Sequence, residues 1–352
     1  MLKSLELFFK KKKILITGHS GFKGSWLKRW LEILGSETSG ISLYPNTKKN
    51  HFDLLFSRKD KGNFWIDIRN CEKVHKVLKN FEPEIIFHLA AQSSVLEGYK
   101  FPIETFETNI IGTVNVLSAA KKVGSVKSFV VITSDKCYEN KEWTFPYRET
   151  DRLGGFDPYS SSKACAELVT ESLRNVFILE NRKTRIATAR SGNVIGGGDW
   201  TSDRLIIDLV EAINKNKSFI LRNPKSTRPW QHVLDPLFGY LLLAKKNFES
   251  SKYSEGWNFG PEISSNLTTK KIVKKFLRKW KNIKVIEKDL YSKKYEAQSL
   301  MVDSTKSKLR LNWKPKILID EALDLTIQWY RSYYENKNII TDKQIEYFMR
   351  KL

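Results

Sequence analysis

A tyrosine and a lysine stand four positions apart in the segment "YSSSKACAEL", at Tyr159 and Lys163. Pro158 precedes them and suits the first turn of a helix, so the spacing predicts that both side chains share one helix face. An ammonium group near a phenol stabilises the phenolate and lowers a pKa that starts near about 10. The pair therefore predicts a group that accepts a hydroxyl proton near neutral pH, with an ordinary surface pair as the alternative.

A second set of reactive groups follows a strand-like run, in "ITSDKCY". Ser134, Asp135 and Lys136 supply a hydroxyl, an acid and an amine in succession. In open α/β sheets, catalytic groups collect beyond the carboxyl ends of the strands. The three residues are therefore predicted to be catalytic, with a plain turn role for one of them as the alternative.

A glycine-rich loop lies between the first predicted strand and the first long helix, in "ILITGHSGFKG". Gly18 permits a tight turn, Gly21 lets a pyrophosphate approach the backbone, and Gly24 lets the helix pack on the sheet. The helix N-terminus then offers N–H groups and a positive dipole end to phosphates. This context favours a dinucleotide site over an ordinary turn. The predicted cofactor-binding residues of the loop are Gly18, His19, Ser20, Gly21, Phe22, Lys23 and Gly24.

The residues do not decide between NAD and NADP. An acidic residue that would hold the adenosine ribose is missing from "SLYPNTKKN", where Lys48 and Lys49 are instead suited to a 2′-phosphate. Asp67, in "IDIR", is a candidate adenine contact. The alternatives are that Asp67 is an N-cap for the helix that begins at Asn70 or a plain loop carboxylate.

Short β-branched runs alternate with longer amphipathic stretches over the first two-thirds of the chain, which predicts parallel βαβ units. We expect an α/β fold with a doubly wound parallel Rossmann sheet and a smaller mixed α/β C-terminal lobe. The expected division is a cofactor domain at 1–191 and a mainly substrate-binding lobe at 192–352, with some segments returning to the first domain. The predicted strands are 13–18, 38–43, 63–68, 84–90, 128–133 and 185–190. The predicted helices are 24–34 with Gly35 as the residue after its C-cap, 70–80, 104–122 and 158–178.

The composition limits the kinds of partner that the protein is expected to bind. The 352 residues are 41% hydrophobic, and 61 Lys and Arg against 39 Asp and Glu leave a net charge of +22. The basic residues are dispersed and no nucleic-acid motif accompanies them, so we expect a solvated surface that attracts a small anionic substrate. Three cysteines without metal-ligand spacing, and no segment of membrane-spanning length, predict a cytoplasmic protein with no metal, no nucleic-acid partner and no membrane partner.

Several motifs in order resemble the extended short-chain dehydrogenase/reductase family over nearly the whole chain. They are "TGHSGFKG", "HLAAQ" at 88–92, the strand-five serine, Tyr159-x-x-x-Lys163 and "RSGNVIGGG" from Arg190. Within that family, "TSDKCYENKEW", "GNVIGGGDW" and "STRPWQHVLDPL" resemble the CDP-glucose 4,6-dehydratases. The resemblance implies NAD as cofactor, CDP-glucose as substrate and a homodimer formed through helices 104–122 and 158–178. It adds Ile68, Leu89, Ala90 and Ala91, with Tyr159 and Lys163, to the cofactor contacts.

The reaction implied by the resemblance has three stages. Tyr159, assisted by Ser134 and Lys163, takes the proton of the hexose 4-hydroxyl while carbon 4 passes hydride to NAD. Water is then eliminated across carbons 5 and 6, and hydride returns to carbon 6. Related dehydratases use an Asp-Glu pair for elimination, which reads Asp135-Lys136 here. Asp135 as acid requires a raised pKa, and Lys136 as base requires one well below about 10.4.

The matching stretches also nominate substrate contacts. Gln92 and Ser93 are expected near the hexose, and Asn193, Arg204 and Arg228 near the diphosphate, which guanidinium groups suit. A turn cap and surface ion pairs are the alternatives for the last three. An epimerase, a dehydratase of another nucleotide sugar, and a non-catalytic nicotinamide sensor remain alternative functions, and His232 is expected to be a core residue.

Overall fold

A computed structural model describes residues 1–45, 47–288 and 297–352. Seven strands form one parallel sheet in the order β11-β6-β5-β4-β1-β2-β3, and the small two-stranded pairs β10-β7, β12-β9 and β13-β8 lie outside it. The strands are β1 (Lys13–Thr17), β2 (Glu37–Ser42), β3 (Asn63–Trp65), β4 (Ile85–His88), β5 (Ser128–Ile132), β6 (Arg185–Arg190), β7 (Val194–Ile195), β8 (Phe219–Arg222), β9 (Thr227–Pro229), β10 (Gln231–His232), β11 (Gly256–Asn258), β12 (Asn266–Thr268) and β13 (Val285–Lys288).

Fourteen α-helices occur in the described part of the chain. They are α1 (Leu2–Phe9), α2 (Phe22–Ile33), α3 (His51–Leu55), α4 (Cys71–Phe81), α5 (Val95–Lys100), α6 (Pro102–Phe106), α7 (Gly112–Val123), α8 (Pro158–Leu179), α9 (Leu205–Asn214), α10 (Leu234–Glu249), α11 (Thr269–Lys279), α12 (Thr305–Arg310), α13 (Ile319–Asn336) and α14 (Thr341–Met349). A π-helical turn joins α6 to α7 at Glu107–Ile111, and a 3₁₀ turn follows β5 at Asp135–Cys137.

The predicted parallel Rossmann sheet is confirmed, and all six predicted strands are present with small shifts at their ends. Gly35 follows the C-cap of α2 with φ +80°, as expected for a left-handed residue after a helix. The single helix predicted at 104–122 is wrong in detail, because α6, the π-helical turn and α7 divide the segment. A seventh strand, β11, was not predicted, since three residues carry too little pattern.

Both faces of the sheet are covered, which explains the apolar runs in its strands. In β1, Ile14 and Ile16 face one buried cluster, formed with residues of α2, α10 and α13, while Leu15 faces the other, formed with residues of α4 and α7. Successive side chains of a strand point to opposite faces, so a fully buried strand needs apolar residues at every position. Because β1, β4, β5 and β6 are parallel neighbours, their carboxyl ends lie at one edge of the sheet, where the site is found.

Candidate active site

The turn after β5 presents three of the predicted catalytic residues. Ser134 caps the 3₁₀ turn: its Oγ accepts a hydrogen bond from the backbone N–H of Lys136 at 3.2 Å and donates one to Asp135 Oδ1 at 3.0 Å. The backbone N–H of Asp135 donates to the carbonyl oxygen of Ser191 at 3.3 Å. The turn is therefore fastened to the end of β6, and its side chains have a fixed location.

Tyr159 and Lys163 lie in the first two turns of α8, which Asp157 caps by accepting from the backbone N–H of Ser160 at 3.0 Å. Both side chains are buried, and the Lys163 Nζ lies 6.0 Å from the centre of the Tyr159 ring. Burial raises the pKa of Tyr159 to about 12, against a hydrogen bond with Ser134 that lowers it. Burial likewise lowers the pKa of Lys163 to about 8.

The low tyrosine pKa expected from the lysine is therefore wrong for the protein alone. The physical reason is that burial penalises the charge on both groups: it disfavours the phenolate of Tyr159, and it also destabilises the ammonium of Lys163 that would stabilise the phenolate. What the structure retains is proximity, because α8 packs against the turn after β5 and Ser134 is near enough to Tyr159 to lower the pKa of its phenol.

Asp135 has the environment that an acid requires. Its carboxyl is 3% exposed, and Oδ2 has no hydrogen-bond partner among the described residues. Burial raises the pKa of Asp135, against the charge of Lys136, the hydrogen bond from Ser134 and the more distant charges of Arg228 and Lys23. A raised pKa is what Asp135 needs in order to act as an acid.

Gly192 faces the unpaired oxygen of Asp135. A Cβ atom on Gly192 would lie 2.7 Å from Asp135 Oδ2 and 2.8 Å from Pro229 Cγ. Real Cβ atoms do not approach other atoms so closely, so a glycine is what allows the carboxyl group to occupy this position. Gly192 was not among the predicted site residues, although it falls in the motif "RSGNVIGGG".

Lys23 connects the glycine loop to this centre. Its Nζ donates to Ser191 Oγ at 2.9 Å and to the Tyr240 hydroxyl at 3.4 Å. Burial and, to a smaller extent, the charge of Arg204 lower the pKa of Lys23 to about 7. Ser191 and Tyr240, which share a hydrogen bond of 2.6 Å, were missed because neither belongs to a recognisable catalytic spacing.

The three glycines of the loop have distinct surroundings. Gly18 has φ +74°, and a Cβ there would lie 2.6 Å from the Ala90 nitrogen. A Cβ on Gly24 would lie 2.1 Å from the Gly18 carbonyl oxygen, so Gly24 is required by packing. Gly21, the N-cap of α2, has room within the protein, because the nearest atom to its Cβ would be 3.4 Å away.

The remainder of the loop contacts the end of β2. Ser20 donates through its N–H to Ser42 Oγ at 3.2 Å and through its hydroxyl to the Leu43 carbonyl oxygen at 3.0 Å. His19 is buried against Phe52 and Trp65, and burial lowers its pKa to about 4. Phe22 begins α2.

Lys49, one of the two lysines suited to a 2′-phosphate, is engaged elsewhere. Its Nζ lies 3.4 Å from the Tyr334 hydroxyl and 3.7 Å from Glu211 Oε1, while Lys48 is exposed. These contacts direct Lys49 toward α9 and α13. They weaken the residue-based case for a 2′-phosphate contact by Lys49.

Asp67 and its neighbours line the end of β3. Asn70, not Asp67, caps α4 by accepting from the Lys73 N–H at 3.0 Å. Asp67 instead accepts from the Arg69 N–H at 2.8 Å and pairs with the Arg69 guanidinium at 2.7 Å. Ile68 is buried, and its Cδ1 would lie 2.5 Å from a Cβ on Gly112.

The residues after β4 lie directly beside the glycine loop. Leu89 donates its N–H to the Thr17 carbonyl oxygen at 3.0 Å, and Ala90 donates its N–H to Thr17 Oγ1 at 3.2 Å. Ala91 follows, half-buried. Leu89, Ala90 and Ala91 therefore lie at the same sheet edge as Gly18.

The five predicted substrate-binding residues differ from one another in their surroundings. The Gln92 amide is held by Ser94 and Thr105, and Ser93 is exposed. Half-buried Asn193 accepts from the Gln231 N–H at 3.1 Å through its backbone oxygen. The remaining two residues are arginines.

Both arginines act on the centre electrostatically. Arg204 pairs with Asp199 at 2.8 Å, and its charge lowers the pKa values of Lys23 and Tyr159. Arg228 is buried, donates to the Thr227 carbonyl oxygen at 2.9 Å, and lowers the pKa of Asp135. They therefore bring positive charge to the catalytic residues.

His232 is a core residue, as expected. It is fully buried against Trp26, and burial lowers its pKa to about 3. Within the described ranges, no group of three or more His, Cys, Asp or Glu side chains is arranged to hold a metal ion. Over the same residues, no helix is long and apolar enough to cross a membrane.

A parallel sheet with a glycine loop after its first strand, and a Ser-Tyr-Lys set at the same edge, defines the class of extended short-chain dehydrogenases/reductases. The family model described as GDP-mannose 4,6 dehydratase matches residues 15–326. The chain belongs to this family.

Several individual proteins are also similar to this chain. CDP-glucose 4,6-dehydratase of Salmonella typhimurium is 42% identical over 338 residues, which cover 95% of this chain and 94% of that protein. UDP-glucuronic acid decarboxylase 1 of Danio rerio is 27% identical over 93% of this chain and 74% of that protein. A dTDP-glucose 4,6-dehydratase from Bacillus anthracis, solved in complex with NAD, shares the fold with a TM-score of 0.74 at 22% identity, over 93% of this chain and 97% of that one.

Proposed function

We propose that this protein converts CDP-D-glucose to CDP-4-dehydro-6-deoxy-D-glucose with NAD as cofactor. The observation that carries the proposal is Asp135, a buried carboxyl with one unpaired oxygen, placed next to the Ser134 and Tyr159 pair. Apart from the hydride acceptor, oxidation at carbon 4 needs only the serine, tyrosine and lysine. An acid beside them is what the loss of the 6-hydroxyl requires. The 42% identity to a CDP-glucose 4,6-dehydratase supports the same reaction.

The glycine loop fits a dinucleotide. Gly21 has no packing partner that would demand a glycine, so the open space at its Cα suits a pyrophosphate, with the N-terminus of α2 directed at it. Bound there, NAD would supply the hydride acceptor for oxidation at carbon 4 and the hydride donor for reduction at carbon 6. Similar folds were solved with NAD, including a dTDP-glucose 4,6-dehydratase from Streptomyces venezuelae. We assign the loop Gly18–Gly24, Asp67, Ile68 and Leu89–Ala91 to cofactor contacts.

The catalytic residues have separate duties in this proposal. Tyr159 takes the proton of the 4-hydroxyl, Ser134 hydrogen-bonds to its hydroxyl, and Lys163 holds a positive charge near it. Because the pKa of Tyr159 is raised to about 12 by burial, the phenolate needs further positive charge before it forms near neutral pH. An oxidised nicotinamide bound in the site would supply such a charge, so we propose that cofactor binding favours the phenolate of Tyr159.

Lys136 is proposed as the base that removes the proton from carbon 5. Its backbone N–H is bonded to Ser134 Oγ at 3.2 Å, so its side chain starts from the catalytic turn. We expect the variant Lys136→Ala to lose exchange of the carbon-5 hydrogen with deuterated solvent. Full exchange in that variant would exclude the assignment.

Two arginines are proposed for the substrate diphosphate, and three polar residues for the rest of the substrate. Arg204 and Arg228 lie within electrostatic range of Tyr159 and Asp135 respectively, which suits a site that binds a dianion next to the catalytic centre. Asn193 is proposed to assist them. Gln92 and Ser93 are proposed at the hexose, at the edge that follows β4.

We further propose a cytoplasmic homodimer that supplies deoxysugar precursors, such as those of lipopolysaccharide O-antigen. Exposed apolar side chains on two adjoining segments support the dimer: Ile111, in the π-helical turn before α7, is 51% exposed and Leu168, on α8, is 53% exposed. The division into a cofactor domain at 1–191 and a substrate lobe at 192–352 is proposed with one return, since β11 from residue 256 pairs with β6.

The function is tested by incubating the purified protein and NAD with CDP-, dTDP-, GDP- and UDP-glucose. The expected result is a 4-keto-6-deoxy product from CDP-glucose, with the deuterium of [4-²H]-substrate recovered at carbon 6. A product from another nucleotide alone would correct the substrate. Epimerised hexose without a 6-deoxy product would identify an epimerase, and no product at all would refute the proposal.

A further inference from the structure

The end of β2 lies beside the glycine loop. Ser20 of the loop donates its N–H to Ser42 Oγ at 3.2 Å and its hydroxyl to the Leu43 carbonyl oxygen at 3.0 Å. In dinucleotide folds, the adenosine ribose lies between the pyrophosphate loop and the end of the second strand, where an acidic residue holds it. Tyr44, which follows Leu43, is 58% exposed. A tyrosine therefore stands at the strand end where the acid is missing.

An arginine is held beside the Tyr44 ring. Tyr44 stacks on Trp65 of β3, with ring centroids 4.4 Å apart and planes 16° from parallel. The guanidinium carbon of Arg58 lies 5.7 Å from the centroid of the Tyr44 ring. The Arg58 carbonyl oxygen accepts from Trp65 Nε1 at 3.1 Å, which fixes the backbone of the arginine as well. A guanidinium near this strand end is the group that the 2′-phosphate of NADP requires.

Asp53 occupies the guanidinium of Arg58. Arg58 Nε donates to Asp53 Oδ1 at 2.6 Å and Nη2 donates to Oδ2, so the ion pair is bidentate. Asp53 is itself fixed in the first turn of α3, because its N–H donates to Asn50 Oδ1 at 2.8 Å and its Oδ2 accepts from Asn50 Nδ2 at 2.6 Å. The hydrogen bonds from Arg58 lower the pKa of Asp53, so the carboxylate stays charged at neutral pH. The pair therefore carries no net charge.

We propose that the pair of Asp53 and Arg58 makes the cofactor site select NAD over NADP, with Asp53 as the specificity-determining residue. The 2′-phosphate of NADP needs the Arg58 guanidinium, but the carboxylate occupies its donors and repels the phosphate. NAD has a hydroxyl at this position and does not need the arginine. The inference rests on the cofactor assignment within the proposed function and adds the residues that select the cofactor.

The location of Asp53 distinguishes this mode of selection from the usual one. An acidic residue at the end of the second strand binds the ribose hydroxyls directly. Asp53 lies instead on α3 and acts by neutralising an arginine. Removal of its charge should consequently leave NAD binding intact and improve NADP binding. A carboxylate that bound the ribose would give the opposite pattern, because its removal would weaken NAD binding.

The test is calorimetric titration of four forms of the purified protein with NAD and with NADP. Asp53→Asn keeps an oxygen for Asn50 and leaves the pair with a net positive charge. Arg58→Met leaves a net negative charge, and the double variant is neutral like the wild type. The Kd for NADP divided by the Kd for NAD should fall about tenfold in Asp53→Asn, the scale of one charged hydrogen bond. It should rise in Arg58→Met and return to the wild-type value in the double variant.

Salt and a matched variant serve as controls. The gain for NADP in Asp53→Asn should diminish between about 0.05 M and about 0.5 M NaCl, because salt screens exposed charges. Glu335→Gln frees Arg331 from a half-exposed bidentate pair on α13 and should leave the ratio of the two Kd values unchanged. Thermal unfolding without cofactor shows that each variant is folded. If Asp53→Asn is not folded, the rise expected for Arg58→Met tests the same charge.

The outcomes separate the inference from the cofactor assignment. An unchanged ratio in Asp53→Asn, or a gain that persists in the double variant, would overturn the role of the pair, while NAD binding to the wild type would uphold the assignment. Weakened NAD binding in Asp53→Asn would contradict the inference by showing that the carboxylate binds the ribose. A wild type that bound NADP as tightly as NAD would also refute it. Binding of neither dinucleotide would overturn both the inference and the cofactor assignment.

Discussion

A Cβ atom on Gly24 would lie 2.1 Å from the carbonyl oxygen of Gly18, so α2 and the turn before it can pack only with a glycine at this position. Gly21, three residues earlier, has no such neighbour, because its Cβ would be 3.4 Å from the nearest atom. The two glycines of one motif are thus required for different reasons.

We therefore expect Gly24→Ala to lower the melting temperature, and Gly21→Ala to leave it nearly unchanged while weakening NAD binding at least about tenfold, a cost of about 1.4 kcal/mol. Thermal unfolding and calorimetric titration with NAD separate the two effects. An equal loss of stability in both variants would show that packing also requires Gly21.

Gly192→Ala should impair elimination more than oxidation. The new Cβ would lie 2.7 Å from Asp135 Oδ2, so the carboxyl group must move away from its position. We expect reduced cofactor to accumulate with CDP-glucose and product formation to slow about 10²-fold, as for loss of a general acid. Rapid mixing measures both quantities. If oxidation and product formation slow equally, the carboxyl position is not what Gly192 secures.

Glu167→Gln should destabilise the fold by about 3–5 kcal/mol, because it leaves the guanidinium of Arg190 buried without a counter-charge. The two side chains form a bidentate pair at 2.9 and 2.8 Å, and Thr188 donates to the same carboxylate at 2.6 Å. Urea unfolding measures the loss. Glu335→Gln breaks the half-exposed pair with Arg331 and should cost only about 0–1 kcal/mol.

Lys23→Met should raise the melting temperature below neutral pH and have a diminishing effect as the pH rises. Burial lowers the pKa of Lys23 from 10.5 to about 7. Below pH 7 the lysine is charged in both states and the fold carries the whole cost of burying it. Between 7 and 10.5 only the unfolded chain is charged, so this cost declines as pH increases.

Melting curves of wild type and Lys23→Met at about pH 6.5 and about pH 9 test this sign. Exposed Lys76→Met is the control and should shift neither curve. A gain in melting temperature that grew with pH would contradict the assignment.

Leu168→Glu should convert the proposed dimer to a monomer, because a carboxylate would be placed in an apolar interface. Light scattering after size-exclusion chromatography measures the mass. Leu309→Glu changes a leucine that is 79% exposed on α12 and should leave the mass unchanged. A dimer that survives Leu168→Glu, or a wild-type monomer, would reject this interface.

The sequence by itself determined the sheet and the positions of the reactive groups along the chain. Local signals suffice for these features: apolar runs bounded by glycines predict strands, and Pro158 with the four-residue spacing of Tyr159 and Lys163 predicts a helix face. The sequence did not predict the π-helical turn that divides 104–122 or the three-residue strand β11, because neither produces a periodic pattern of apolar residues.

Only the tertiary structure decided the electrostatic state of the site and its supporting residues. The sequence placed Lys163 near Tyr159 and predicted a lowered phenol pKa, but burial of both groups raises that pKa instead. Ser191, Gly192 and Tyr240 reach the centre from other segments of the chain. Desolvation and contacts between distant residues depend on how the whole chain packs, so they cannot be predicted from the spacing of residues along the sequence.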